Sequence, residues 1–351
     1  MDLVDAKAAK RDIRKLKPED LKKFFTDHGD KPFRATQVDE WLWKKSAKSF
    51  DQMTNLSVAT RELLKEHFAI NHIHVDNMQR SSDGTIKNAV TLHDGLIVES
   101  VLIPAEKRIT ACVSSQVGCS LACKFCATAR LKRQRNLSAD EIYDQVAAIR
   151  EQAELFFNRP LTNIVFMGMG EPLLNYSNVT AAIEKITSQK GLGMAMKRIT
   201  VSTVGIAKMI IKMADDGVKF NLAVSLHAAL DKTRSSIMPI NDSNPLNELA
   251  DALRYWYQKT KRKVTYEYVV WQGINDTEEH AQALLKFCKV IPSKVNLIEY
   301  NPIDDGEFKQ ASDEALNMYM DLLEKNGITT RIRKSRGKDI DAACGQLANK
   351  S

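Results

Sequence analysis

Apolar and polar positions change their period twice along this chain. Over residues 1 to about 70 the apolar positions recur at helical spacing. Leu16-Lys17-Pro18-Glu19-Asp20-Leu21 reads as a helix start with Pro18 just inside it. Gln37 to Lys45 carries apolar residues at helical intervals, and Thr54-Asn55-Leu56-Ser57 precedes a helix predicted over Val58 to Phe68. From about 70 to 104 the pattern is strand-like. Asn88 to Leu92 and Leu96 to Ile103 flank His93-Asp94-Gly95, and Asp-Gly between two such runs predicts a hairpin.

After residue 110 strands and helices alternate. Strands are predicted over Ala111–Ser115, Asn163–Met167, Arg198–Thr203, Asn221–Leu226, Val264–Val270, Val295–Tyr300 and Thr329–Ile332. Helices are predicted over Ser138–Glu154, Asn178–Ser188, Ile206–Asp215, Pro245–Gln258, Thr277–Cys288 and Asp313–Lys325. At least six strand–helix units in succession imply parallel strands with right-handed crossovers. The expected fold is α/β, a partial (βα)6-type barrel behind an N-terminal helical domain. Chemistry in such folds gathers at the C-terminal ends of the strands. The expected division is 1–90 for the accessory domain and 91–351 for the catalytic one.

Composition narrows the setting. The 351 residues are 44% hydrophobic and 27% charged, which fits a globular chain of about two domains. Six Cys are too few for a disulfide scaffold. Met1 to Lys17 has no signal-peptide core, and nowhere do 18 apolar residues run together. A cytoplasmic setting with reduced thiols is expected, and no membrane partner. Lys and Arg number 51 against 44 Asp and Glu, a net +7 that permits an RNA partner without requiring one.

Cys119, Cys123 and Cys126 form a Cys-x3-Cys-x2-Cys run directly after the first barrel strand. Thiolates are soft ligands, so this spacing points to metal. Structural zinc wants four ligands, commonly two separated pairs, and no second Cys-x2-Cys exists here. A four-iron cluster normally takes four thiolates, so three leave one iron open. With Phe125 before the last Cys, the motif resembles the signature of radical S-adenosylmethionine enzymes. That resemblance implies a [4Fe-4S] cluster whose open iron chelates the methionine moiety of S-adenosylmethionine, giving a 5′-deoxyadenosyl radical on reduction.

Gly168-Met169-Gly170-Glu171-Pro172 ends the second barrel strand. Alone it is an ordinary turn. Within the resemblance, Gly170 and Glu171 belong to the motif that contacts the methionine ammonium. Ser202, Ser225-Leu226-His227 and Asn301 fall at later strand ends, where the family contacts S-adenosylmethionine. Singly such residues are more often caps or turns; their shared placement is the signal.

Cys112 precedes the cluster, and Cys344 lies in Asp339-Ile340-Asp341-Ala342-Ala343-Cys344-Gly345-Gln346-Leu347. Alone, Cys112 is a small buried hydrophobe and Cys344 a tail thiol. With the cysteine motif, Phe166–Glu171, Pro32–Gln37 and Phe50–Ser57, this string resembles the RlmN/Cfr family of RNA adenine methyltransferases over nearly the whole chain. Arg331 to Gly337 looks closer to the C2-methylating branch than to the C8-methylating one. The resemblance implies that Cys344 takes a methyl group from one S-adenosylmethionine and that a second one generates the radical. It implies Glu99 as the base that removes the C2 proton, and Cys112 as the thiol that releases the adduct, ending in a Cys112–Cys344 disulfide. Cys288 carries no motif and is expected in the core or on a helix surface.

The implied partners are 23S ribosomal RNA, transfer RNA at the adenine 3′ of the anticodon, and a cellular electron donor, with the enzyme a monomer and the accessory domain binding RNA. Arg130, Lys132, Arg133 and Arg135 follow the cluster; Arg331, Arg333, Lys334, Arg336 and Lys338 precede Cys344. Basic runs are usually solvated faces; flanking both halves of a site, they would guide phosphates. Trp41, Trp43 and Trp271 are candidates to stack on the target base. Alternatives stay open: C8 methylation, a non-catalytic metal-containing RNA-binding protein, and a radical enzyme for a small molecule.

Overall fold

The computed structural model describes residues 10–303 and 306–349. Residues 1–9, part of the stretch read above for a leader core, lie outside the described residues. Three helices open the chain: α1 Pro18–Asp27, α2 Arg34–Trp43 and α3 Val58–His67. Pro18 stands at the first position of α1, with Glu19 and Asp20 favourable in its first turn. The Ser57 side chain caps α3 by accepting from Thr60 N–H. Phe25, Val38, Met53 and Leu64 are fully buried between these helices.

One ten-stranded sheet forms the rest: β1 His74–Arg80, β2 Ile86–Thr91, β3 Ile97–Ala105, β4 Arg108–Cys112, β5 Asn163–Phe166, β6 Ile199–Thr203, β7 Asn221–Ser225, β8 Val264–Val269, β9 Ser293–Ile298 and β10 Thr329–Arg333. Spatial order follows chain order throughout. β1 to β4 form an antiparallel meander, and β4 to β10 run parallel. The main crossovers are α4 Ala139–Phe157, α5 Tyr176–Thr187, α6 Ala207–Asp215, α8 Leu246–Thr260, α9 Glu278–Cys288 and α10 Asp313–Lys325; a short α7, Asp231–Ile237, precedes α8. Six strand–helix units and a seventh strand make the expected partial barrel. Cys288 is a core residue of α9.

Three differences from expectation have local causes. The first barrel strand is Arg108–Cys112, earlier than Ala111–Ser115, because it leaves a tight hairpin with β3 whose register pairs Ala105 with Arg108. Cys112 therefore ends the strand. β1 lies in the stretch read as strand-like from about residue 70, but its bounds were not given by the pattern because it is a mostly exposed edge strand without apolar alternation. Residue 90 falls inside β2, which pairs on both sides within the large sheet, so the helical unit and the sheet meet earlier in the chain.

The helical unit is tied to the barrel by Arg14. Its guanidinium is buried and reaches Asp12 at 3.3 Å, Asp140 at 3.4 Å and Asp144 at 2.8 Å, the last two on α4. Among the described residues no helix is long and apolar enough to cross a membrane.

Candidate active site

Strand order brings the C-terminal ends of β4 to β10 around one cavity. Cys119, Cys123, Cys126, Gly168, Gly170, Glu171, Ser202, Ser225, His227, Asn301 and Cys344 all line it. The cysteine loop is anchored by a two-residue ribbon, Gln116–Val117 against Arg135–Asn136, and by Cys119 N–H donating to Leu131 O at 3.3 Å. Burial pushes the thiols of Cys119, Cys123 and Cys126 up, and proximity to Cys126 and Cys119 adds to this at Cys123. A site that penalises free thiolates is relieved by a cation that neutralises them. Among the described residues no three His, Cys, Asp or Glu side chains converge on a single-ion site. Thiolates that bind different irons of a cubane need not share one focus.

Gly170 is required by geometry. Its φ is +90°, and a Cβ there would lie 2.4 Å from Gln116 Cβ. This close approach lets Gln116 Oε1 accept the Glu171 N–H at 2.9 Å. The Glu171 carboxylate is buried; Oε1 accepts from Leu173 N–H at 3.0 Å and Oε2 from Val204 N–H at 2.9 Å. Burial outweighs those bonds and lifts its pKa to about 7. A cation placed beside it would restore the charge.

His227 is buried in left-handed backbone, φ 55°, a strained conformation that clusters at working sites. Its Nδ1 accepts from Val269 N–H at 3.2 Å, and burial, then Arg234, lowers its pKa to about 3. The neutral ring packs edge-on to Phe125 with centroids 4.8 Å apart. Ser202 Oγ and Ser225 Oγ stand 3.5 Å apart. Buried Tyr300 OH and Asn301 Oδ1 at this cavity have no hydrogen-bond partner within the described chain, and Glu267 Oε2 has only the ion pair with Arg333 at 3.7 Å. Buried polar groups are normally paired, so these residues fit a polar ligand such as S-adenosylmethionine.

A second cavity fills the barrel lumen below. Cys112, Met167, Glu267, Arg331, Arg333 and Cys344 line it, so Cys344 borders both cavities. The segment after β10 carries Cys344 across. Gly337 N–H donates to Asp83 Oδ2 at 3.0 Å, and Asp339 accepts from Ser81 Oγ at 2.6 Å and Ser82 N–H at 3.0 Å. Gly337 has φ +65°, and a Cβ there would meet Ala342 Cβ at 2.7 Å. Beyond it, Gly345 O accepts from Ala127 N–H at 2.7 Å, and Asn301 Nδ2 donates to Cys344 O at 3.2 Å. Burial and then Cys344 push the Cys112 thiol up to about 12.

Not every expected residue faces these cavities. Leu226 packs in the core, with its N–H donating to Glu267 O and its O accepting from Arg234 Nε at 3.1 Å. Glu99 lines neither cavity and is ion-paired to Lys87 at 3.2 Å. Trp271 and Trp43 are buried, which removes them as stacking platforms; Trp41 is half-buried, with Lys45 Nζ 3.7 Å from its ring centre. Arg135 is held by Asp94 at 2.6 Å and Glu141 at 2.8 Å, a structural tie rather than a free phosphate contact.

Arg333 was read only as one of the basic residues that would guide phosphates, and Glu267 was not singled out. Arg333 Nη1 lies 3.5 Å from Met167 Sδ and 3.7 Å from Glu267 Oε2. Cys344, then Glu267 and Cys112, favour its charged form against burial. The available signal was period two: Arg331 and Arg333 point to one face of β10, into the lumen. Arg234 gave none. It is fully buried and joins Val204 O, Leu226 O and Asn241 Oδ1, bracing the loops around the cavity.

Comparison with known proteins agrees with this geometry. Residues 11–70 match the Ribosomal RNA large subunit methyltransferase N-terminal domain, and residues 113–287 match the Radical SAM superfamily. A relative from Christiangramia forsetii, named Probable dual-specificity RNA methyltransferase RlmN, is 68% identical and covers 98% of each chain. One of the same name from Streptococcus agalactiae is 42% identical over 98% of this chain and 94% of its own. The crystal structure of a radical SAM methyltransferase from Sphaerobacter thermophilus superposes with a TM-score of 0.90, at 37% identity, over 96% of this chain and 99% of that one. With its cysteine motif, its two-cavity barrel and these full-length relatives, the chain belongs to the RlmN family of radical S-adenosylmethionine RNA methyltransferases, which use a [4Fe-4S] cluster.

Proposed function

We propose that this enzyme methylates C2 of adenine in 23S ribosomal RNA and in transfer RNA next to the anticodon, through an S-methylated Cys344. The observation that carries the reading is that Cys344 borders both the cofactor cavity and the lumen that holds Cys112. One thiol is thereby open to a methyl donor on one side and to a second thiol on the other.

Cys119, Cys123 and Cys126 would hold the cluster, and Gly170, Glu171, Ser202, Ser225, His227 and Asn301 the S-adenosylmethionine, with Leu226 contributing only its place in the strand end. When bound, these groups supply hydrogen-atom abstraction. Sγ of Cys344 accepts the methyl group first, since a thiolate is the competent nucleophile. Aromatic C2 bears no nucleophile, so its methylation requires a carbon radical made at that S-methyl group. The adduct gives up one electron, which the bound cluster would accept, and Glu99 takes the C2 proton; Cys112 then attacks the Cys344 sulfur, and the methylene carbon released from that sulfur takes up a proton to become the RNA methyl group, leaving a Cys112–Cys344 disulfide. Cys112, held as a thiol by burial, must lose its proton before that attack. A cellular one-electron donor supplies the reductions, and the enzyme works as a monomer.

The test is nucleoside mass spectrometry of RNA incubated with the reconstituted enzyme, against C2- and C8-methyladenosine standards. 2-Methyladenosine from both RNAs is expected. A C8 product alone would overturn the assignment.

A further inference from the structure

Glu99 lies mid-strand in β3 and is 1% exposed. Its carboxylate is already engaged on both oxygens. Oε1 faces Lys87 Nζ at 3.2 Å, and Lys87 is itself 4% exposed. The register pairs Glu99 with Ala89 and Lys87 with Val101, so the two are diagonal neighbours on one face of the sheet. Oε2 accepts the backbone N–H of Ala348 at 2.8 Å and of Asn349 at 3.1 Å. Asn349 Nδ2 adds a bond to Ile97 O at 2.8 Å.

Those two amides follow closely on Cys344. The same segment is fixed at its other end by the residues just after Cys126: Ala127 N–H donates to Gly345 O at 2.7 Å, and Thr128 Oγ1 to Leu347 O at 2.6 Å. A strap thus runs from the cluster loop to Glu99, with Cys344 at its head. Three of the roughly four lone-pair sites of the Glu99 carboxylate are occupied, and the rest is sealed from both cavities. A base in either cavity does not reach a carboxylate placed there.

We propose that Glu99 acts in two successive states. In the first it clamps the strap through Ala348 and Asn349, holding Cys344 at the cofactor cavity while the sulfur is methylated. In the second, the strap lets go of Oε2 and the freed oxygen takes the C2 proton. Lys87 is a positioning residue that keeps the carboxylate in place in both states. The second state rests on the function proposed above; the first stands on the hydrogen bonds alone.

Amide hydrogen exchange on the RNA-free, full-length protein tests the clamp directly. Charge-assisted hydrogen bonds are about twice as strong as neutral ones. In Glu99→Ala and Lys87→Met, exchange at Ala348 and Asn349 is expected to accelerate at least about tenfold, with α4 and α8 unchanged. Lys87→Arg is expected to stay close to wild type. S-methyl occupancy of Cys344, read from its peptide mass, is expected to fall severalfold in the first two variants. Unchanged exchange at both amides in Glu99→Ala overturns the proposal, as does full Cys344 methylation in that variant. If Glu99→Ala fails to fold, Ala348→Pro removes one clamping donor and leaves Glu99 and Lys87 in place; wild-type exchange at Asn349 with full methylation overturns it equally. Absence of 2-methyladenosine from wild-type reactions sinks the proposed function instead, and leaves the exchange result to decide the clamp.

Discussion

Val269 N–H donates to Nδ1 of His227, which leaves Nε2 as the protonated nitrogen of the neutral ring. Two adjacent strand ends therefore fix both the tautomer and the orientation of an imidazole at the cofactor cavity. With the folded pKa lowered to about 3 from 6.5, the unfolded chain gains a proton that the folded ring refuses over that window. His227 thus lowers stability as pH falls from 6.5 towards 3. The imidazole 15N shifts of His227 should stay constant from about pH 8 to about pH 5, and His227→Phe should flatten the acid side of the stability curve. A ring titrating near neutrality would contradict the burial argument.

Glu171 has the opposite sign. Its folded pKa, about 7, exceeds the ordinary 4.5, so the unfolded chain is the more ionised between those values. Its contribution falls as pH rises through that window and is most unfavourable above it. In the cofactor-free protein, the Tm difference between Glu171→Gln and wild type should move in favour of the variant from about pH 5 to about pH 8. Calorimetric titration with S-adenosylmethionine should show the converse at every pH: the variant binds at least about tenfold more weakly, a loss of about 1.4 kcal/mol or more.

Gly170→Ala combines a positive φ with a Cβ 2.4 Å from Gln116 Cβ. The expected cost is about 2 kcal/mol or more, because neither backbone nor neighbour can yield cheaply. Urea denaturation should register it as a shift in midpoint. Displacing Gln116 should also release the Glu171 N–H that it holds.

Arg14→Met leaves buried Asp12 and Asp140 and half-buried Asp144 around one lost charge. A loss of about 3–5 kcal/mol is expected near neutrality. Burial already lifts the Asp144 carboxyl to about 6 with the arginine present, and without Arg14 that one carboxylate protonates more readily. The deficit should therefore shrink on acidification. A deficit constant across pH would assign the loss to packing instead.

Cys112→Ala removes a buried sulfur that packs in the sheet core. Its effect on stability should be small, about 1 kcal/mol. Its effect on turnover should be complete, with RNA retained covalently on the Cys344 peptide. Denaturing gels of labelled RNA would reveal the trapped species; freely released methylated RNA would remove Cys112 from the reaction.

Much of this was readable from sequence because the signals were local. The spacing of Cys119, Cys123 and Cys126, and the Gly170-Glu171 turn, sit at strand ends that periodicity locates. Strand order followed chain order, so no crossover had to be guessed. What escaped was set by tertiary contact. Lys87 looks like any strand lysine until the register places it beside Glu99. Arg234 sits in a polar stretch, Asp231 to Ser236, yet is fully buried. Trp271 looked available for stacking, but Phe125, Tyr300 and Phe308 enclose it.

The strap that bears Cys344 joins parts of the chain far apart in sequence, Asp339 to Ser81 and Ala348 to Glu99. Contacts of such separation are generally made late in folding, and weakly protected segments are the first to open. The sheet can assemble strand by strand without them. The reactive sulfur would then come into register only once the scaffold beneath it has set, so a half-formed molecule offers no aligned nucleophile to a passing methyl donor.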